Sequence, residues 1–164
     1  MEQDNRESNY AYVADMDEEI MEDVVYMING AIKNFNIPQT TEGRELAKKI
    51  NEIVDCILES GEYPDEYEDI QDVSVALGCL YGHALVTGFG WEWKAVGENA
   101  EDATYCVVSP DENWMTPFMN YINKILTGVN YGLDGENDNT CLLLYNMIEN
   151  KMQTVPEKKL NVLW

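Results

Sequence analysis

A run of nineteen residues without a formal charge, residues 73–91, crosses the middle of a chain in which 25% of residues are charged. The run contains Gly78 and Gly82, one helical turn apart, and acidic residues bound it where a membrane span would have basic anchors. We therefore predict a helix that is buried on most sides, that lets a neighbouring helix approach closely at the two glycines, and that ends around residues 87–90. The rest of the chain must pack around this helix.

Apolar residues on either side of this run recur at steps of three and four, the spacing of amphipathic helices. A first helix is predicted from Asp15 or Asp17 to residues 36–38, and a second runs to about Ser60, where Gly61 ends it. The remaining predicted helical segments are residues 65–69 leading into the uncharged run, the stripe Trp114, Phe118, Tyr121, Ile122, Ile125 and Leu126, and residues 141–152.

After the uncharged run, the spacing of the apolar residues changes from a period of about 3.6 residues, typical of a helix, to a period of 2, typical of a strand. Residues 91–96 alternate bulky and polar side chains and residues 104–108 are β-prone, which predicts two short antiparallel strands. The predicted fold class is α+β and mostly helical, with about five helices and one antiparallel β-hairpin between the third and fourth. We expect a flexible arm over residues 1–14, a single globular domain over residues 15–155, and a C-terminal tail over residues 156–164.

Signals of catalysis or of a bound metal are weak in this sequence. Its single histidine, His83, lies in the apolar run, which favours a core imidazole over a general base. Residues 134–139 are rich in oxygen ligands but lack the glycine and glutamate of an EF-hand loop, so we interpret them as a turn-rich surface loop, with calcium binding left open. We predict no catalytic residues, no metal site, no cofactor and no enzymatic activity.

The N-terminal segment is acidic and polar, without the basic and apolar regions of a secretory signal. We therefore expect a cytoplasmic protein. The cysteines are widely spaced, without a CxxC pair, and in a reducing compartment they are expected to be free thiols, although a zinc site built from distant cysteines and His83 stays open. The four are Cys56, Cys79, Cys106 and Cys141.

Negative charge dominates the composition, with a formal net charge of −21. Such a surface disfavours nucleic acid and anionic membranes as partners. Residues 1–75 hold 20 acidic and 5 basic side chains, a net charge of −15. The candidate partner-binding residues are a first acidic cluster, Asp17, Glu18, Glu19, Glu22 and Asp23, and a second acidic cluster, Asp65, Glu66, Glu68, Asp69 and Asp72. The alternative is that this charge serves solubility alone.

Two tryptophans, Trp91 and Trp93, alternate on the first predicted strand of the hairpin. One is expected to pack inward and the other to be exposed, where it would stack on a partner or ligand. Packing in the core or hairpin is the favoured role for both tryptophans, and beside it we include both as candidate partner-binding residues.

Four short motifs carry a family resemblance: LGCLYGHAL at 77–85, GWEW at 90–93, VVSP at 107–110 and PFMNYI at 117–122. With these motifs, residues 65–127 resemble a small bacterial domain of unknown function, similar to stand-alone immunity-type proteins of bacterial toxin systems. The resemblance implies an accessory protein that neutralises a toxin, and it carries over no catalytic residues.

These observations lead to two functional hypotheses. In the first, the chain is a cytosolic acidic binding protein, an immunity protein or inhibitor that docks on and neutralises a basic partner such as a bacterial toxin. In the alternative, it is a small-ligand-binding protein or enzyme with a site between the hairpin and the buried helix, using Trp91 or Trp93 and nearby carboxylates. The sequence does not fix the oligomeric state.

Overall fold

The structure is a computed structural model that describes residues 3–128 and 139–164. Within these residues, five helices and one five-stranded sheet give the predicted α+β class. The helices are α1 (Glu18–Asn34), α2 (Gly43–Ser60), α3 (Ile70–Phe89), α4 (Phe118–Thr127) and α5 (Cys141–Lys151), and the strands are β1 (Tyr12–Asp15), β2 (Glu92–Gly97), β3 (Thr104–Val108), β4 (Trp114–Thr116) and β5 (Asn161–Val162).

The uncharged run forms most of α3, and α3 is the central element of the fold. It packs against α1, α2 and α4, and eleven of its twenty residues are buried. Within the described residues, α3 is also the one helix long and apolar enough to cross a membrane, with a mean hydropathy of 1.2. Core helices of soluble proteins meet the same criteria, and 61% of this segment is buried inside the fold.

Close packing at the glycines of α3 confirms the predicted approach of a helix at Gly78, whereas at Gly82 the nearest group is an aromatic ring from a strand. A Cβ atom placed on Gly78 would lie 2.7 Å from the Cα atom of Met119 and 2.9 Å from the carbonyl oxygen of Phe118. At Gly82 a Cβ atom would lie 2.7 Å from the ring of Trp93. The missing side chains therefore let the backbone of α4 and an aromatic ring from β2 sit directly against α3.

Helix ends follow the local sequence signals. Gly61 and Gly90 adopt left-handed backbone angles and cap α2 and α3, as predicted for both helix ends. At the start of α3 the side chain of Asp69 accepts a hydrogen bond from the backbone N–H of Asp72. The Asp72 side chain in turn accepts one from the N–H of Glu68, so α3 begins at Ile70 and not within residues 65–69.

The sheet is larger than the single predicted hairpin. Its strand order is β1-β2-β3-β4-β5, with all neighbours antiparallel except β4 and β5. The predicted hairpin corresponds to β2 and β3, where Trp93 pairs with Val107. The helix expected from Trp114 begins instead at Phe118, because Trp114–Thr116 pairs on both sides as β4.

Both ends of the chain differ from the expected arm and tail, since residues from each take part in the sheet. Val13 in β1 pairs with Val96, and Met115 in β4 pairs with Val162 in β5. Ser8 also forms a parallel bridge with Lys159, so the two terminal segments meet. These pairings give the main-chain polar groups of both segments partners within the fold.

Each face of the sheet carries its own buried apolar cluster. The larger cluster includes Trp91 and Val107 and joins the sheet to the helices. A smaller cluster lies apart from it and is formed by strand residues and the C-terminal segment: Val96, Cys106, Val108, Met115 and Leu160. The terminal segments are therefore needed to enclose this second core.

Replacing Gly78 with alanine tests the close contact between α3 and α4. Gly78→Ala is expected to lower the free energy of unfolding by about 1–3 kcal/mol, because the new methyl group meets rigid backbone atoms of α4. Gly30→Ala is the matched control, because Gly30 is also helical and nothing lies within 4 Å of a Cβ atom added there. This variant is expected to raise the free energy of unfolding by about 0.5–1 kcal/mol. Urea unfolding measures both, and a Gly78→Ala variant as stable as Gly30→Ala would contradict the contact.

Candidate protein-docking surface

Both acidic clusters are presented to solvent. Nine of their ten side chains are exposed and Asp72 is half-buried. None of these ten carboxylates lies within 4.0 Å of a cationic nitrogen from any residue that the structure describes. Nearby Asp15, by contrast, pairs with Lys94 at 2.5 Å. The charge of the two clusters is therefore not neutralised within the described part of the molecule.

The clusters lie at the N-termini of two helices. Glu18 and Glu19 occupy the first turn of α1, and Asp69 and Asp72 cap α3. Unpaired N–H groups and the helix dipole stabilise negative charge at both positions. This placement explains how the fold keeps carboxylates that have no cationic partner.

Helices α1 and α3 run in opposite directions along one surface. The end of α1 lies beside the segment that precedes α3, where the rings of Phe35 and Tyr67 stack with centroids 5.9 Å apart. The start of α1 lies beside the middle of α3, where Ile20 and Cys79 line the same depression. The two acidic clusters therefore lie towards opposite ends of α1.

An apolar depression of about 300 Å³ opens where α1, α3, β3 and α4 meet. Buried Val24 and Cys79 form its floor, and Asp23 stands at its border. Half-buried apolar side chains form its walls: Ile20, Met27, Val75, Tyr105 and Met119. Its lining comes from four separate elements, so the helical periodicity of the sequence did not reveal it.

A second depression of about 620 Å³ continues from the first along α1. The two share Tyr26 and Met27 in their linings. Three residues of the second acidic cluster line the second depression: Glu66, Glu68 and Asp72. We call this continuous feature the α1 groove. It brings Asp23 of one cluster and three residues of the other to the border of a single surface.

Exposed apolar side chains accompany the groove on α1. Tyr26 is 78% exposed and its neighbour Val25 is 48% exposed. Single exposed apolar residues are common on protein surfaces, and Leu143 and Val155 are exposed elsewhere on this fold. Tyr26 differs from them because it lines both depressions, whereas Val25 lines neither. Together with the groove walls, Tyr26 makes this side of α1 both apolar and negatively charged.

The two tryptophans proposed as partner contacts are packed into the fold. Trp91 is 1% exposed, and its indole N–H donates to the sulfur of Met152 at 3.3 Å. Trp93 is half-buried against Gly82, and its ring meets Phe118 edge-on with centroids 5.0 Å apart. The expectation of one exposed tryptophan is therefore corrected, because close packing at Gly82 takes up the ring of Trp93.

The same packing bears on a small-ligand site between the hairpin and the buried helix. The rings of Trp93 and Phe118 fill the space where β2 faces α3. This packing closes the part of that region beside β2. The part beside Tyr105 of β3 and Val75 and Cys79 of α3 is the apolar depression described above, so the small-ligand alternative stays a hypothesis.

The remaining titratable candidates are spread over the fold. His83 is half-buried, and burial lowers its pKa while Glu42 acts in the opposite direction. No group of three or more His, Cys, Asp or Glu side chains suited to a metal converges within residues 3–128 and 139–164. Residues 134–138 of the candidate calcium loop lie outside the described residues, while Asn139 donates to the carbonyl oxygen of Asn51 at 2.8 Å.

No protein-family model, no curated protein and no solved structure matches this chain. The resemblance to immunity-type proteins therefore stays a prediction from its motifs. The support for a function comes from the α1 groove and the carboxylates at its border.

Thiol chemistry provides a test of the cysteine environments. Burial raises the pKa of the Cys79, Cys106 and Cys141 thiols to about 12, whereas Cys56 is exposed. At pH 8 we expect Ellman's reagent to modify Cys56 rapidly in the folded protein, and all four cysteines after unfolding. A Cys56→Ser variant should lose the rapid phase. Rapid labelling of a second cysteine in the folded protein would contradict the assigned burial.

Salt provides a test of the unpaired carboxylates. Because like charges within each cluster repel, added NaCl should raise the free energy of unfolding by screening them. The variant Asp65→Asn/Glu66→Gln/Glu68→Gln should be more stable than the parent at low salt and should respond less to NaCl. Thermal unfolding from 20 to 500 mM NaCl measures both effects. An equal salt response in this variant and the parent would show that the second cluster carries no net repulsion.

Proposed function

We propose that this protein is an acidic binding protein of the immunity or inhibitor type that docks on and neutralises a basic protein partner, such as a bacterial toxin. The observation that supports this most is the arrangement of the α1 groove. An apolar surface is bordered by carboxylates from both acidic clusters, and these carboxylates have no ion-pair partner among the described residues.

Charge and apolar area have different roles in this proposal. The carboxylates at the groove would attract a basic surface and orient it during encounter, which raises the association rate. The apolar walls and the exposed rings would be covered in the complex and would supply most of the affinity. Both features on one face favour a protein as the partner.

Solubility alone accounts less well for this distribution. Helix α2 is nearly balanced, with three basic and four acidic side chains. Lys49 lies 3.6 Å from Glu52, and Arg44 lies 3.5 Å from Glu149 on α5. A charge excess that served only solubility has no reason to leave α2 balanced and to collect around an apolar groove. The location of the excess, more than its size, supports a docking role.

The product of the gene adjacent to this one is the partner to test first. If that product is basic, we expect the purified proteins to bind, with an association rate about tenfold lower at 0.3 M than at 0.05 M NaCl. The variant Glu19→Gln/Glu22→Gln/Asp23→Asn should lower the association rate by a larger factor than that by which it changes the dissociation rate. Surface plasmon resonance measures both rates.

A matched control removes three other exposed carboxylates, as Glu98→Gln/Glu101→Gln/Glu157→Gln. This variant changes the net charge by the same amount but leaves the lining of the α1 groove intact. It should reduce the association rate much less than the cluster variant. Binding that is indifferent to salt, or equally sensitive to both variants, would overturn the acidic docking face.

A further inference from the structure

We infer that the α1 groove receives a cationic amphipathic α-helix from the partner. This inference rests on the proposed function and specifies which element of the partner binds. The helix would place its apolar side against the groove walls and its lysine or arginine side chains over the acidic clusters.

The dimensions of the groove suit a helix of about four turns. Its lining follows α1 from Ile20 to Asn34, which is fifteen residues and fourteen steps along the helix. At about 1.5 Å per residue this corresponds to a length of roughly 21 Å. A helix of about fourteen residues would therefore cover it from end to end.

The character of the walls favours a helix over an extended strand. The described lining is made largely of side chains, among them Ile20, Met27, Val75 and Met119. An extended strand would leave its own N–H and C=O groups against apolar walls, whereas a helix satisfies these groups internally. The two methionines also allow the walls to adapt to the side chains of the bound helix.

The charge pattern defines the sequence of that helix. Asp23 borders the apolar first depression, and Glu66, Glu68 and Asp72 line the second, whose α1 side is polar and includes Asn29, Lys33 and Asn34. The complementary helix therefore carries an apolar stripe at steps of three and four against the first depression, and basic residues placed to reach Asp23 and the second acidic cluster. A second copy of this chain is a poor occupant, because its own α1 would bring carboxylates to the same border.

Two synthetic peptides serve as probes. The first is an eighteen-residue peptide with leucines on one helical face and lysines elsewhere. The second has the same composition, but its leucines are distributed around the helix. We expect the first to bind at least about tenfold more tightly, because only it can bury an apolar stripe while its lysines meet the carboxylates. Fluorescence anisotropy measures the affinities, and circular dichroism reports helix formation on binding.

Groove variants locate the binding site. Met27→Gln/Met119→Gln makes two groove walls polar and should weaken the binding of the first peptide about tenfold. The control Leu58→Gln/Leu143→Gln changes two exposed leucines that lie outside the groove lining and should leave affinity within about twofold. Unfolding curves confirm that each variant is folded, and the single variant Met119→Gln replaces the double variant if that one is not.

The outcomes separate this inference from the proposed function. Equal affinity for the two peptides, or equal losses in the groove and control variants, would overturn the helix inference. If the natural basic partner binds in a salt-dependent way but is insensitive to Met27→Gln/Met119→Gln, the proposed function stands and the helix inference fails. The helix inference would also be overturned if analytical ultracentrifugation shows a homodimer that Met27→Gln/Met119→Gln dissociates. That result would place a second copy of this chain in the groove. Failure of both peptide and partner binding would overturn both proposals.

Discussion

The close approach of α4 to α3 at Gly78 is the contact on which the rest of this structure depends. It lets α3, which carries no formal charge after Asp72, be enclosed by α1, α2 and α4, so that the apolar surface of α3 leaves water on most sides. Because α4 follows β4 in the chain, the same contact fixes where the sheet meets the helices. It also brings Met119 beside α1, where it becomes a wall of the α1 groove.

Elements with a strong local signal were predictable from the sequence. The buried helix, its glycine contacts, the caps at Gly61 and Gly90 and the β2–β3 hairpin all follow from periodicity, charge and glycine placement. Strands β4 and β5 have three and two residues, too few to show a period of two. They exist because main-chain groups distant in sequence pair with each other, as when the N–H of Leu163 donates to the carbonyl oxygen of Met115 at 2.8 Å.

The candidate site likewise has a part that could be predicted from the sequence, its carboxylates, and a part that could not, its apolar lining. Its carboxylates could be found because they are clustered in sequence and a charged side chain near a helix start is usually exposed. Its apolar part could not, since Ile20, Val75, Tyr105 and Met119 come from four different elements and each fits a helix or strand core pattern when considered alone. Trp91 and Trp93 show what strand alternation can decide: it predicted that one ring packs inward, as Trp91 does, while packing against Gly82 also takes up the ring of Trp93, as the core or hairpin interpretation of both had it.

The fold also explains how so many unpaired carboxylates are tolerated near one groove. Each cluster lies at a helix N-terminus, where free N–H groups and the dipole offset the repulsion within it. Because α1 and α3 run in opposite directions and α1 starts beside Cys79, nine residues into α3, the N-termini of these helices are offset by roughly 14 Å along the helices. That distance exceeds the screening length of about 8 Å at physiological ionic strength, so the clusters repel each other little. Antiparallel packing thus gives two separate anionic ends with an apolar surface between them, which is the pattern that a cationic amphipathic helix complements.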